Sequence, residues 1–167
     1  MDGNSKLKVG FKYFVEHIRK GVVLSVEECF NLVPTEGMNH ILSTEFKTGA
    51  QVTSWYVGIF EGNYTPVAGI TAATIVAAST ECTTYDSSTR PLWDSGTVSA
   101  GALDNSASKA EFVMSADKTV YGGFITSSNV KGGSTGVIDS AVRFATAKIL
   151  ETDDTLRITA GIVLANA

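Results

Sequence analysis

Hydrophobic and polar residues alternate along much of the chain, and this period of two predicts β-strands with one buried face. The first such segment spans residues 8–19, and Lys20-Gly21 after it predicts a tight turn. The alternation resumes over 22–33 and stops at Pro34, because proline lacks the N–H that a strand ladder needs. In the first segment four apolar residues share one parity: Val9, Phe11, Tyr13 and Val15. Residues 1–33 are therefore interpreted as an N-terminal β-hairpin or arm.

One segment has the period of a helix instead. Apolar residues recur there at three- and four-residue spacing: Met38, Ile41, Leu42 and Phe46. Thr35 can cap the first turn, and Gly49 can end the helix. The pattern predicts a short helix at about residues 35–48, which we expect to lay its apolar face against a sheet.

Short strand patterns, separated by Gly, Ser, Asn and Asp, fill the rest of the chain. They cover residues 52–60, 81–85, 92–100, 111–116, 119–127, 137–150 and 156–164. The fourth and fifth of these predict a hairpin whose inward candidates include Phe112, Met114, Val120 and Phe124. Residues 65–80 are rich in Ala and Thr and fit either a helical turn or an extended segment. Residues 101–109 predict a long exposed loop.

These patterns predict an all-β fold, either a β-sandwich (jelly-roll-like) or a barrel, with one short helix and an N-terminal hairpin. The chain has 167 residues and a mass of 17.6 kDa, which fits one domain. Since no internal repeat and no linker interrupts it, residues 1–167 are interpreted as a single β-rich domain.

Charge and hydropathy narrow the range of partners. The formal net charge is -4, and the Lys and Arg residues are scattered, so we expect no nucleic-acid partner. No apolar run reaches the about 20 residues of a membrane helix, and residues 1–6 contain no signal segment, so we expect synthesis in the cytoplasm and no membrane partner. Charged residues make up 18% of the chain, below the roughly 25% of an average domain. Such a charge-poor surface suits a protein that neighbours partly cover, and it is equally typical of a β-protein rich in Ser, Thr and Gly.

Cysteine and histidine are too few and too irregularly spaced for a zinc site. We expect Cys29 and Cys82 to be reduced, buried thiols, although the sequence leaves a disulfide between them open. His17 is expected on a half-exposed strand position. His40 is expected on the solvent side of the helix or in a hydrogen bond.

Catalytic patterns are missing as well. Glu27 and Glu28 are neighbours on a strand and point to opposite faces, so they cannot serve as a glycosidase pair. Asp153 and Asp154 fit a solvated hairpin turn. Residues 131–136 place their lysine before the glycines, which predicts a hairpin loop and not a phosphate loop. We therefore predict no enzyme, no cofactor, and no catalytic, cofactor-binding or metal-binding residues.

The large aromatic residues leave one alternative open. Trp55, Tyr56 and Trp93 lie in strand patterns, where aromatic side chains usually join the core. Exposed tryptophans would instead form a stacking platform for sugars. A carbohydrate-binding β-sandwich is therefore retained as an alternative.

Five segments together resemble the small structural proteins of tailed bacteriophage virions. They are Phe11–Gly21, Cys29–Val33, Glu36–Leu42, Trp55–Pro66 and Thr89–Trp93. The shared features are turn and core residues, in the order strand, glycine turn, "Asn-Leu-Val" and a helix that begins at glycine. The resemblance extends over nearly the whole chain and is more specific for a fold than for a role.

The resemblance implies a non-enzymatic virion structural protein, and among these it favours a head decoration (cement) protein. Such a protein would bind the major capsid protein and copies of itself, as a dimer or trimer, on the capsid exterior, and would stabilise the head. A tail, baseplate or fibre-attachment component of the virion is the alternative. No contact residue can be assigned from the resemblance.

Overall fold

The computed structural model describes residues 7–166, which form two antiparallel sheets that face each other and do not close into a barrel. The larger sheet contains β1 (Leu7–Arg19), β2 (Val22–Phe30), β4 (Ala102–Asp104), β5 (Ala110–Val113) and β8 (Thr155–Asn166). The smaller sheet contains β3 (Tyr56–Phe60), β6 (Lys118–Thr126) and β7 (Ile138–Leu150). Two helices accompany them, α1 (Thr35–Phe46) and α2 (Ala72–Ser79). The predicted all-β domain with a short helix is confirmed.

The predicted N-terminal hairpin forms part of the larger sheet. β1 pairs with β2 on one side and with β8 on the other, and β4 and β5 both pair with the far edge of β8. The turn residues Lys20 and Gly21 have φ angles of 49° and 79°. Two consecutive positive φ angles are typical of the type I′ turn that closes a two-residue hairpin.

The main core lies between the two sheets. β1, β5 and β8 contribute residues from one side, and β3, β6 and β7 from the other. Examples with no exposed surface are Tyr13, Val15, Ile59, Phe112, Ile125 and Ile158. All four inward candidates of the expected hairpin are also fully buried, which confirms their burial.

A second core covers the outer face of the smaller sheet. The register of β6 shifts between Val120 and Gly122, so residues of one parity change face there. Val120 therefore points between the sheets, whereas Phe124 packs with Ile75 of α2. Helix α2 forms within the ambiguous segment 65–80, which therefore takes the helical of its two alternatives. A capping box between Thr71 and Thr74 begins this helix.

Three expectations were wrong. Segments 81–85 and 92–100 make isolated bridges and not regular strands. The expected hairpin of 111–116 with 119–127 is absent, because β5 pairs with β8 while β6 belongs to the other sheet. Segment 101–109 includes β4 and is not one long loop. Each error concerns long-range pairing, which short patterns do not specify.

Helix α1 is confirmed, but its packing differs from expectation. Its N-cap is Pro34 rather than Thr35. Three of the four residues of the apolar stripe face solvent, since Met38, Leu42 and Phe46 are 42%, 55% and 73% exposed, and Ile41 is half-buried. The residue that packs on the sheet is Gly37, where a Cβ atom would lie 2.9 Å from the carbonyl oxygen of Asp139 in β7.

The first turn of α1 is also fixed by a half-buried acceptor. The Glu36 carboxylate accepts hydrogen bonds from the backbone N–H of Ala72, at 2.9 Å, and of Ile138, at 2.8 Å. This carboxylate joins α1 to the start of α2 and to β7. The helix is therefore held at one end of the sandwich with most of its apolar stripe uncovered.

Candidate interaction surface and pocket

Six exposed apolar side chains mark the outer side of the β1–β2 hairpin and the adjoining face of α1. They are Phe14, Val26, Phe30, Met38, Leu42 and Phe46, and they are called the hairpin–helix surface below. Phe30 is 76% exposed and Phe46 is 73% exposed. Scattered apolar residues are ordinary on a protein surface, but a contiguous apolar patch marks an interaction site.

A groove joins the sheet part of this surface to the helix part. Phe30 and Met38 line it together with Val9, Val163 and Ala165, and its volume is about 630 Å³. The groove therefore places the exposed Phe30 of β2 beside Met38 of α1.

On the hairpin side of the surface each apolar residue lies opposite a charged one: Phe30 opposite Lys12, Phe14 opposite Glu28 and Val26 opposite Glu16. Glu16 pairs with Lys109 at 2.8 Å. The Lys12 ammonium lies 4.9 Å from the centre of the Phe14 ring and pairs with Glu28 at 2.8 Å. The charge of this lysine is therefore offset locally, so the surface presents aromatic rings with a balanced ion pair.

A separate pocket of about 270 Å³ lies between α1, residues 51–55 and the larger sheet. It is called the Asp139 pocket below. Its apolar lining consists of Phe11, Ile41, Val52, Trp55, Trp93, Leu103 and Ile162. Its polar lining consists of His40, Thr44, Glu45, Gln51 and Asp139. The pocket therefore combines aromatic walls with two carboxylates.

Asp139 is the unusual residue of this pocket. It is 7% exposed, and its Oδ1 has no hydrogen-bond partner among residues 7–166. The Thr44 Oγ1, on the helix side of the same pocket, also lacks a partner within the described part of the chain. Burial raises the pKa of the Asp139 carboxyl from 3.8 to about 6, because the interior disfavours its charge.

The two tryptophans have different roles. Trp93 is 7% exposed, and its indole N–H donates to the Ala160 carbonyl at 2.8 Å, which agrees with the expected core position. Trp55 is only half-buried and meets the His40 ring edge-on, with 5.6 Å between the ring centres. His40 thus lies half-buried beside the pocket. One tryptophan, and not both, remains for the carbohydrate-binding alternative.

The structure corrects the expectations for His17 and Asp154. His17 is 8% exposed, not half-exposed, and its Nε2 lies 2.8 Å from Asp154 Oδ2. Asp154 is 1% exposed and also binds the Arg19 guanidinium through both carboxylate oxygens. The hydrogen bond from Arg19 holds the pKa of the Asp154 carboxyl well below its usual range. Asp153, its neighbour, is exposed as expected. Residues 151–154 connect the two sheets and do not close a hairpin.

The cysteines and the Glu27–Glu28 pair agree with expectation. Cys29 and Cys82 are buried and not disulfide-bonded. Burial raises the pKa of Cys29 to about 11 and raises the pKa of Cys82 as well, so both thiols stay protonated at neutral pH. Glu28 pairs with Lys12, while Glu27 pairs with Lys148 at 2.8 Å. The two glutamates therefore serve different ion pairs.

A buried arginine, which the sequence did not reveal, holds the connection between β6 and β7. Arg90 is 1% exposed, and its guanidinium donates to both Glu81 carboxylate oxygens at 2.8 and 2.7 Å. It also donates to the carbonyls of Ser128 and Gly133, within the β6–β7 connection. The expected loop at 131–136 is thus a connection tied to a buried ion pair.

Within residues 7–166, no three His, Cys, Asp or Glu residues are placed to hold a metal ion together. Neither described helix has the length and apolar character needed to cross a bilayer. The sequence matches no protein-family model, and no curated protein is significantly similar to it.

Proposed function

We propose that this protein is a non-enzymatic structural component of a tailed-bacteriophage virion, and that it decorates the capsid exterior by binding the major capsid protein. The observation that carries the proposal is the hairpin–helix surface. A helix with three exposed apolar side chains, beside a sheet face that exposes three more, is what a subunit covered by a neighbour presents. The resemblance of the sequence to small phage structural proteins supports the same role.

The energetics of such a surface suit attachment in many copies. Burying one large apolar side chain contributes about 1.5–3 kcal/mol, so Phe30, Leu42 and Phe46 together supply several kcal/mol. Association consumes part of that gain through lost rotational and translational freedom. A subunit that bridges two capsomers gains from effective concentration, so modest contacts can saturate a lattice. Binding to the mature shell then stabilises that shell by mass action.

The first experiment measures the copy number and position of the protein in purified virions, by quantitative mass spectrometry and cryo-electron microscopy. Decoration of an icosahedral head predicts hundreds of copies spread over the capsid. A handful of copies at one vertex would favour the tail, baseplate or fibre alternative. Absence of the protein from particles would reject a virion role altogether.

The second experiment tests the surface itself. Phe30→Ser and Phe46→Ser should each weaken rebinding to particles stripped of the protein, because both side chains are largely exposed and their loss spares the core. Val98→Ser is the matched control, since Val98 is 68% exposed and lies outside the hairpin–helix surface. Stripped particles should also lose resistance to heat. Equal rebinding of all three variants would reject this surface as the capsid contact.

A further inference from the structure

The Asp139 pocket has a chemical character that a capsid contact does not explain. It lies beside the hairpin–helix surface, yet it is formed by different side chains, and its floor carries a carboxylate that is more than nine-tenths buried. Native proteins pair nearly all buried polar atoms, so two unpaired oxygens on residues that line one cleft need a reason. Asp139 Oδ1 and Thr44 Oγ1 are both without partners among the described residues.

We infer that the Asp139 pocket binds an alkylammonium group, either of a small free amine or of a lysine side chain from a neighbouring protein. The inference does not rest on the virion role. It rests on the juxtaposition of the buried Asp139 carboxylate with aromatic and aliphatic walls in one small cleft.

Charge excludes the other classes of ligand. Asp139 and Glu45 both line the pocket, and the ring of His40 is the only basic group among its lining residues, so the site repels anions. A neutral polyol can donate a hydrogen bond to Asp139, but it leaves the buried negative charge unbalanced. A metal ion needs three or more ligands, and no such group exists within residues 7–166. An ammonium both neutralises the carboxylate and donates to it.

The walls suit the rest of such a ligand. The faces of aromatic rings attract cations, and Phe11, Trp55 and Trp93 all line the pocket. Ile41 and Leu103 offer apolar surface to the methylene groups of an alkyl chain, in the way that lysine stems pack along apolar surface. The volume of about 270 Å³ lies just below the usual range of ligand pockets, about 300–1,000 Å³. The pocket therefore accommodates one aliphatic chain and not an oligosaccharide.

Direct titration tests the inference, because both tryptophans of the chain line this pocket and their fluorescence reports its occupancy. The probes are n-butylammonium and Nα-acetyl-lysine N-methylamide, added to the full chain at pH 7.5. Their neutral counterparts are pentan-1-ol and Nα-acetyl-norleucine N-methylamide, and glucose serves as the polyol. Saturable fluorescence changes with the two amines, and none with the neutral compounds, are expected.

Asp139→Asn keeps the shape of the side chain and removes its charge, so it should weaken amine binding about tenfold or more. Since this change removes an unfavourable buried charge, loss of binding cannot be ascribed to unfolding. Asp94→Asn is the matched control, because Asp94 is exposed and outside the pocket, and it should bind the amines as the parent protein does.

The two amines distinguish the source of the ligand. Binding of both supports the inference and shows that the mouth of the pocket admits a lysine attached to a backbone. Binding of n-butylammonium alone supports it with a free amine as the ligand. Equal binding of amines and neutral compounds, binding of glucose alone, or full amine binding by Asp139→Asn would each overturn it.

Discussion

Replacing Asp139 with asparagine should stabilise the protein at neutral pH, and the gain should shrink as the pH falls. In the folded protein the pKa of this carboxyl is raised from 3.8 to about 6 by burial. A raised pKa means that the folded state prefers the protonated acid. The contribution of Asp139 to stability is therefore fully present below pH 3.8 and is lost as the pH rises through 6. Asparagine has no charge to bury and escapes that loss.

The size of the effect follows from the two pKa values. Ionisation of Asp139 costs about 1 kcal/mol of stability at pH 4.5 and about 3 kcal/mol at pH 7.5, since one pKa unit corresponds to about 1.4 kcal/mol. The advantage of Asp139→Asn over the parent protein should therefore grow by about 2 kcal/mol between these pH values. The other titratable groups near the pocket, Tyr13, His40 and Glu45, are present in both proteins and largely cancel in the difference.

Urea unfolding followed by circular dichroism at pH 4.5 and 7.5 measures this difference, with the free energy extrapolated to zero denaturant. The exposed Asp94→Asn serves as the control for the change of residue type. A difference for Asp139→Asn that is the same at both pH values would refute the argument, because a carboxyl with an ordinary pKa gives that result.

Three further substitutions probe other buried contacts. Arg90→Ala should lower the free energy of unfolding by about 3–5 kcal/mol, because it leaves the Glu81 carboxylate charged and buried. In urea titrations, the double variant Arg90→Met/Glu81→Met should lose less stability than the sum of the losses in the single variants Arg90→Met and Glu81→Met. Asp154→Asn should be less stable than the parent protein at pH 7. Because the pKa of Asp154 is lowered in the folded protein, only its ionised form contributes stability, so the difference in thermal melts should fade as the pH falls below about 4. Gly37→Ala should destabilise the protein by about 1–3 kcal/mol in urea unfolding, because the added Cβ meets the Asp139 backbone. The same change in an unobstructed helix is stabilising. A gain in stability for Gly37→Ala would contradict the described packing of α1.

Local features of the fold could be predicted from the sequence. The alternation in β1 and the Lys20-Gly21 turn define the hairpin, because strand period and turn chemistry both depend on neighbouring residues. The helical spacing of α1 was similarly visible. The side on which α1 is buried was not, because Gly37 packs on β7 and the larger apolar residues do not. Periodicity identifies an apolar face but cannot say whether another chain covers it.

Long-range partners explain why most of the pocket and the ion pairs escaped prediction. The local sequence predicts Asp154 as a turn residue, because its partner Arg19 lies far away in the chain. Arg90 gives no signal in its own segment, since Glu81 reaches it through folding of the connections. Asp139 offered a weak sign, because an aspartate in the mostly apolar start of a strand pattern implies either a binding partner or a function.

The pairing of β1 with β8 has a consequence for synthesis of the chain. Leu7 pairs with Asn166 and Ile18 with Thr155, so the central contacts of the larger sheet form between the two ends of the described chain. At about 5–20 residues per second, roughly seven to thirty seconds of translation separate the emergence of these two strands. During that interval the hairpin has no strand on its other edge and exposes both its core face and its outer apolar side chains. The nascent hairpin is therefore a natural client for chaperones, and crowding of translating ribosomes on one message would favour pairing between hairpins of neighbouring chains.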